Sequence, residues 1–180
     1  MSTNPVEAII RHISTQLHED PARMKAEQIG ITFFNKISFW RAGIFDSFPP
    51  NIRVIAYDGA KVYNISDDGF AEICRIDKVT VGNAEALIKY LKFYFWATDS
   101  GDVLSRADDI GGISDEHLEK WKGQIYPPKA QWSHLGGQAF LWLWHNTILY
   151  SLDCKIEPSG RITIKKQERD KNIGVNITIE

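Results

Sequence analysis

Five histidines and two cysteines are the residues of this chain best suited to proton transfer, nucleophilic attack or metal ligation. His134 lies in the run Trp132-Ser133-His134-Leu135-Gly136-Gly137, and His145 stands on an alternating stretch that also carries Asp153. An imidazole beside a carboxylate is a general base near neutral pH. The catalytic candidates are therefore His145, with Asp153 to orient it, and His134. The plain alternative for either histidine is a hydrogen-bonded rim position. Cys74 or Cys154 with His134 would make a nucleophile and base. Both thiols, however, sit in apolar strand-like runs, where burial raises the thiol pKa and lowers reactivity. Buried free cysteines are the expectation.

Other chemistries lack their signatures. His12 and His18 are six apart on a predicted helix and share no face. His117 falls in the first turn of a short helix. No H-x-x-x-H, C-x-x-C or H-E-x-x-H spacing occurs, so no metal site and no cofactor is expected. Asp99-Ser100-Gly101 resembles the Asp-Ser/Thr-Gly turn of aspartic proteases. It follows a helical segment and has no second copy, so it reads as a helix-ending turn. Asp99, Asp102, Asp108 and Asp109 lack calcium-loop spacing. Gly111-Gly112 and Gly136-Gly137 match no phosphate loop, and there is no Gly-x-Ser-x-Gly elbow.

The aromatic content is a second lead. The chain has six tryptophans, and aromatics make up 12% of its residues. Trp96, Trp132, Trp142 and Trp144 are the candidate walls of a pocket for a small apolar or aromatic ligand. The same rings equally suit the core between a helix and a sheet.

At 180 residues, one domain over 1–180 is the expectation, with enough chain to bury a core unaided. The net charge of −2 and the pI near 6.2 argue against a non-specific nucleic-acid binder. Residues 165–171 lean basic, but Glu168 and Asp170 interrupt them, which suits a solvated strand edge or loop. Residues 1–6 show no leader-like region, and no apolar run reaches the length of a membrane span, so no membrane role and a cytoplasmic location are expected.

The elements that must carry these residues follow from periodicity. Asn4, Pro5 and Glu7 open a helix with Val6, Ile9, Ile10, Ile13 and Leu17 on one face. Asp20-Pro21 predicts a second, short helix to Ile29. Residues 31–40 fit strand slightly better than helix. Residues 52–76 read as a meander of strands at 52–57, 61–66 and 70–77, with Asp58-Gly59 as a type I′ turn and Asp67-Asp68-Gly69 as the next. Asn83 caps a helix over 83–97 that is apolar nearly all round, so it is buried on two sides or forms an interface. Ser114 starts a short helix, with Ile113 and Leu118 as a hydrophobic staple.

Residues 140–157 alternate. Phe140, Trp142, Trp144, Ile148, Tyr150, Leu152, Cys154 and Ile156 take the even positions, and mostly polar residues follow His145 on the odd ones. The stretch is too long for one straight strand, so a bend, bulge or turn belongs near His145-Asn146. Residues 157–161 form the next turn, Ile162 and Ile164 the return strand, and residues 173–179 a last strand.

The fold expected is α+β: one strongly bent antiparallel sheet of six or seven strands with helices on one face. By element order alone it is similar to a cystatin-like or NTF2-like cone. Two functions fit. The first is a non-enzymatic ligand-binding or protein-interaction module with an aromatic-lined pocket or interface, with a homodimer through the sheet or the 83–97 helix as a corollary. The alternative is a small enzyme with a His145/Asp153 acid–base pair in a pocket of the curled sheet. A third role, as an inhibitor or assembly factor defined by its partner, would leave no chemical motif at all.

Overall fold

The structure is a computed structural model that describes residues 4–77, 79, 81–157 and 161–175, and of Asp67 and Asp68 only the backbone. It is α+β, with four α-helices among the described residues. Its strands form two antiparallel sheets, of four and five strands, in place of the one bent sheet expected, and neither is closed or strongly curled. The chain divides into two compact units, the first running to Val79.

The first unit opens with α1 (Pro5–Leu17), where Asn4 Oδ1 accepts from the Val6 N–H at 3.0 Å. That bond satisfies one of the donors a helix start leaves free. Ile9 and Ile13 are fully buried against Trp40, Ala42, Ile44, Ile55 and Tyr57. Those side chains form one face of a sheet ordered β1 (Lys25–Ile29), β2 (Ser38–Ile44), β3 (Asn51–Tyr57), β4 (Val62–Asn64).

Three predictions fail in this unit. The helix expected from Pro21 is a single 3-10 turn, Pro21–Arg23, followed by β1. Lys25, Ala26, Glu27 and Gln28 favour helix intrinsically. Pairing with β2, which sets Glu27 opposite Arg41 at 2.7 Å, overrides that weak preference. The strand expected at 70–77 is α2 (Asp67–Asp77). Ser66 Oγ accepts from the Gly69 N–H, and Phe70, Ile73, Cys74 and Asp77 recur at helical spacing, each at most 3% exposed. The β3–β4 connection is also longer than a two-residue turn, because Tyr57 pairs with Val62.

Asp77 organises the residues before β2. Its carboxylate accepts backbone N–H bonds from Asn35 (2.8 Å), Lys36 (2.9 Å) and Ile37 (2.8 Å). Residues 30–37, ambiguous in sequence, are accordingly an irregular segment whose last three backbone donors Asp77 satisfies.

In the second unit, α3 (Ala84–Ala97) is capped by Asn83 as expected, and Asn83 Oδ1 accepts from the Ala86 N–H at 2.9 Å. β5 (Asp102–Leu104) follows, then a 3-10 turn at Ala107–Asp109 and α4 (Asp115–Trp121), capped by Ser114. Next come β6 (Lys129–Ser133), β7 (Gly136–His145), β8 (Ile148–Ile156) and β9 (Ile162–Asp170). The sheet order is β5-β7-β8-β9, with β6 also paired to β7.

The long alternation is thus two strands joined at Asn146-Thr147. Both turn residues are left-handed, with φ of 49° and 62°, as a two-residue hairpin turn requires. α3 packs on β5, β6 and β7. A side chain at Gly137 would come within 2.6 Å of Leu87 Cδ2, so the helix lies close to the sheet there. α4 packs on the other face through Trp121 and Trp142, more cover than the one-face expectation. At the end of the described chain, Ile173 and Val175 donate N–H bonds to the Thr147 and Gly111 carbonyls. Ile177 and Ile179 of the predicted last strand, and most of the 157–161 turn, lie outside the described residues.

The Asp77 clamp gives a first prediction. Asp77→Ala leaves three backbone donors without their acceptor and should cost on the order of 3 kcal/mol. Urea unfolding should show a clearly lower midpoint for it. Glu85→Ala, which removes an exposed ion pair with Lys89, should leave the midpoint unchanged. Equal midpoints for the two variants would refute the clamp.

Candidate functional site

The four candidate tryptophans do not share a pocket. Trp142 is core: it is 7% exposed and meets the rings of Trp121 (5.7 Å), Tyr126 (6.2 Å) and Phe140 (5.7 Å). Its indole nitrogen is buried and has no partner among the described residues. Trp144 donates from Nε1 to the Ile173 carbonyl at 2.8 Å. Trp132, on β6, sits opposite Gly137. Trp96 ends α3 and is 44% exposed.

His145 and Asp153 are not brought together. The hairpin register sets His145 opposite Ile148, and Asp153 opposite Phe140. Phe140 and His145 are five positions apart on β7, about 17 Å at ~3.3 Å per residue, and they point to opposite faces. His145 Nε2 instead lies 2.7 Å from the Asn146 side-chain nitrogen. His134 is exposed in the turn between β6 and β7. Cys74 and Cys154 are buried and not joined in a disulfide, as expected. Burial, helped by the charge of Asp153, pushes the Cys154 thiol up to about 12, which disfavours the thiolate.

Trp96, Trp144 and His145 do meet at one small cleft of about 210 Å³, together with Phe95, Asp99, Gly101, Asp102 and Asn146. The end of α3 builds it. The Ser100 N–H bonds to the Phe95 carbonyl at 2.9 Å, and Asp99 takes the left-handed conformation, so Asp99-Ser100-Gly101 is the helix-ending turn predicted. Gly101 has φ of 129°, and a side chain there would stand 2.7 Å from the Trp144 carbonyl oxygen. This close approach lets β5 start beside β7, with Asp102 opposite Trp144.

The larger feature lies on the face of the second sheet that carries α4. Along that face β7 presents Gln138, Phe140, Trp142 and Trp144. α4 and the segment after it cover Trp142 and end at Tyr126, which stacks on Phe140 at 5.6 Å. Lys129 Nζ stands 4.2 Å above the Tyr126 ring. Beyond that boundary the face is open. One row across four strands is Gln131, Gln138, Lys155 and Thr163, and the next is Lys129, Phe140, Asp153 and Lys165. All of them except half-buried Phe140 are exposed.

Two grooves of about 470 and 430 Å³ lie on this shelf and share Gln131, Gln138 and Lys155. Both fall in the size range of small-molecule sites, which the Trp96 cleft does not reach. Trp132 and exposed Leu135 line the outer end. Asp153 therefore belongs to the shelf and His145 to the cleft. Sequence reasoning missed the shelf because it missed β6. The alternation Ala130, Gln131, Trp132, Ser133 was its only signal, and Pro127-Pro128 masked it.

A polar hub holds the covering layer down. Asp170, at the end of β9, accepts from Trp121 Nε1 at 2.6 Å and from Lys120 Nζ at 2.9 Å. His117 Nε2 is 4.0 Å away, and its Nδ1 is 3.0 Å from the Ser114 hydroxyl. Among the described residues no three His, Cys, Asp or Glu side chains cluster closely enough to hold a metal ion, and no helix is long and apolar enough to cross a membrane. Searches of family models, of curated proteins and of solved structures give no match to this chain.

The hub predicts a pH effect. Burial raises the Asp170 pKa, but the hydrogen bonds from Lys120, Trp121 and the Lys171 backbone, with the Lys120 charge, outweigh it and hold the carboxyl below its ordinary value. A folded-state value below the unfolded one means that the contribution is complete above the ordinary carboxylate range and fades as pH falls through the folded value. Asp170→Asn should therefore be less stable than the parent at neutral pH, and the gap should narrow on acidification. Thermal melts of both proteins across the carboxylate range check this, and a gap independent of pH would exclude it.

Proposed function

We propose that the protein is a non-enzymatic ligand-binding or interaction module whose working surface is the open shelf of the five-stranded sheet. The observation that carries this reading is the abrupt end of the covering layer at Tyr126 and Phe140. Beyond it, exposed glutamines, lysines and a threonine span four adjoining strands around two grooves. Rigid strands set the spacing of these groups, which favours recognition. Among the described residues no nucleophile–base pair faces the grooves: Cys154, beneath them, is buried, and His145 belongs to a different cleft.

A second reading has its own support. Exposed Trp96 beside His145, Asp99 and Asp102 would suit a small flat ligand, and it is the place where an imidazole and carboxylates line one cleft. An enzymatic role would have to use that set in place of His145 with Asp153. The homodimer through α3 is less well supported, because the helix exposes little beyond Glu85, Lys89, Lys92 and Trp96.

Amide-resolved NMR of the labelled protein against a fragment collection tests the assignment. Binders should perturb Gln131, Gln138, Lys155 and Thr163, and Gln138→Trp, which puts an indole where the two grooves meet, should weaken those shifts. Hits confined to Trp96, Asp102 and His145 would transfer the function to the small cleft. Chemical conversion of a shelf-bound fragment would overturn the non-enzymatic reading.

A further inference from the structure

The groove beside Phe140 leans positive, while the adjoining groove adds a second carboxylate, Glu157. The chain as a whole has net charge −2. Yet the groove beside Phe140 is lined by Lys129, Lys155 and Lys165 against a single carboxylate, Asp153. Five of the nine other described lysines are matched: Lys25 with Asp46, Lys89 with Glu85, Lys120 with Asp170, Lys122 with Glu119, Lys171 with Glu168. None of the three groove lysines forms an ion pair with a described residue.

The register fixes how these charges are spaced. Lys155 pairs with Thr163, and Lys165 lies two residues further along β9, so the two lysines are diagonal neighbours on one face. Such neighbours are about 7–8 Å apart at their Cα atoms, close enough for both to reach one acidic group. Lys129 and Lys165 share a row but stand three strand spacings apart, about 14 Å at ~4.8 Å each. Gln131, Gln138 and Thr163 lie beside and between them and both donate and accept hydrogen bonds. Asp153 interrupts the positive field between the two poles. It repels an acidic group placed on it and accepts a hydrogen bond from a hydroxyl.

We propose that the shelf binds a small organic polyanion of the sugar-bisphosphate kind: two acidic groups at the ends of a short frame, with hydroxyl donors between. Lys155 and Lys165 hold one acidic group and Lys129 the other. Asp153, Gln131, Gln138 and Thr163 receive the hydroxyls. This assignment rests on the shelf being the binding surface and adds the chemistry of its ligand.

The test is an amide NMR titration of the intact protein with fructose 1,6-bisphosphate, alongside inorganic phosphate and uncharged fructose. The bisphosphate should saturate shifts at Gln131, Gln138, Lys155 and Thr163 and bind at least about tenfold more tightly than either comparator, the gain expected from one further charge-assisted contact. Added salt should weaken it. The double variant Lys155→Gln/Lys165→Gln and the single variant Lys129→Gln change exposed side chains only, and each should lose about tenfold or more. Asp153→Asn should bind inorganic phosphate more tightly than the parent does.

Absence of bisphosphate shifts at the shelf, or equal affinity in the lysine variants, overturns the proposal. If neutral fragments still occupy the shelf in that case, only the ligand class is wrong. If nothing binds there, the shelf assignment fails with it. Tighter binding of an oligonucleotide than of the bisphosphate would also overturn it, in favour of a nucleic-acid surface.

Discussion

The left-handed pair Asn146-Thr147 is the constraint on which the second unit depends. A two-residue turn makes His145 and Ile148 direct partners, and that one pairing fixes the face of every residue on β7 and β8. It buries Leu141, Leu143, Leu152 and Cys154 beneath one face and puts Trp142 and Asp153 on the other. A single extra residue in the turn would exchange the two sets. The conformation is uncommon for a β-branched residue such as Thr147, so it needs support. Its carbonyl accepts the Ile173 N–H at 2.9 Å, its hydroxyl donates to the Asn146 carbonyl at 2.6 Å, and Ile173 is itself fully buried. The segment after β9 thus returns to hold the turn that set the register.

The same turn explains why the most attractive chemical pairing in the sequence does not form. Read as one continuous strand, residues 145 and 153 share a parity and so a face. Across a two-residue turn the parity reverses, because an odd residue of β7 pairs with an even residue of β8. Asp153 moves to the shelf and His145 to the cleft by the end of α3. The alternation located the turn, since Asn146 breaks the apolar positions there. It did not carry the turn's length, and the length decides which residues are neighbours.

Elements defined by local chemistry were legible, and those defined by partners were not. Asn4, Asn83 and Ser114 each accept the backbone N–H bond that their type and position promise, and the helices begin where predicted. Residues 25–29 were not legible, because only β2 makes a strand of Lys-Ala-Glu-Gln-Ile. Residues 67–77 carried two superposed periods. Phe70, Cys74 and Ile76 fall on alternate positions as in a strand, while Phe70, Ile73, Cys74 and Asp77 keep a helical period, and the bond from Gly69 to Ser66 settles it. The role of Asp77 was invisible for a similar reason, since its three donors lie some forty residues away in sequence. The shelf was least legible of all. It is defined by where a covering layer stops, and no residue type announces that.

The position of that boundary ties the site to the stability of its cover. On this face β7 carries Phe140, Trp142 and Trp144, so the far half needs cover, while Gln138 and the exposed residues of β6 and β8 let the near half stay open. What covers the far half is a seven-residue helix too short to be stable alone. That helix is held by Trp121 and Ile125 in the core and by the bonds from Trp121 and Lys120 to Asp170. Asp170 is on the same face because β9 slips its register at Leu149/Tyr150, which returns the strand's end to the covered side. The irregularity in β9 therefore does two things. Before it, Thr163 and Lys165 face the open shelf. After it, Asp170 reaches the helix and closes the rest. The size of the open shelf follows from where that strand slips, and its inner wall, Phe140 under Tyr126 under Lys129, is the last layer the latch keeps in place.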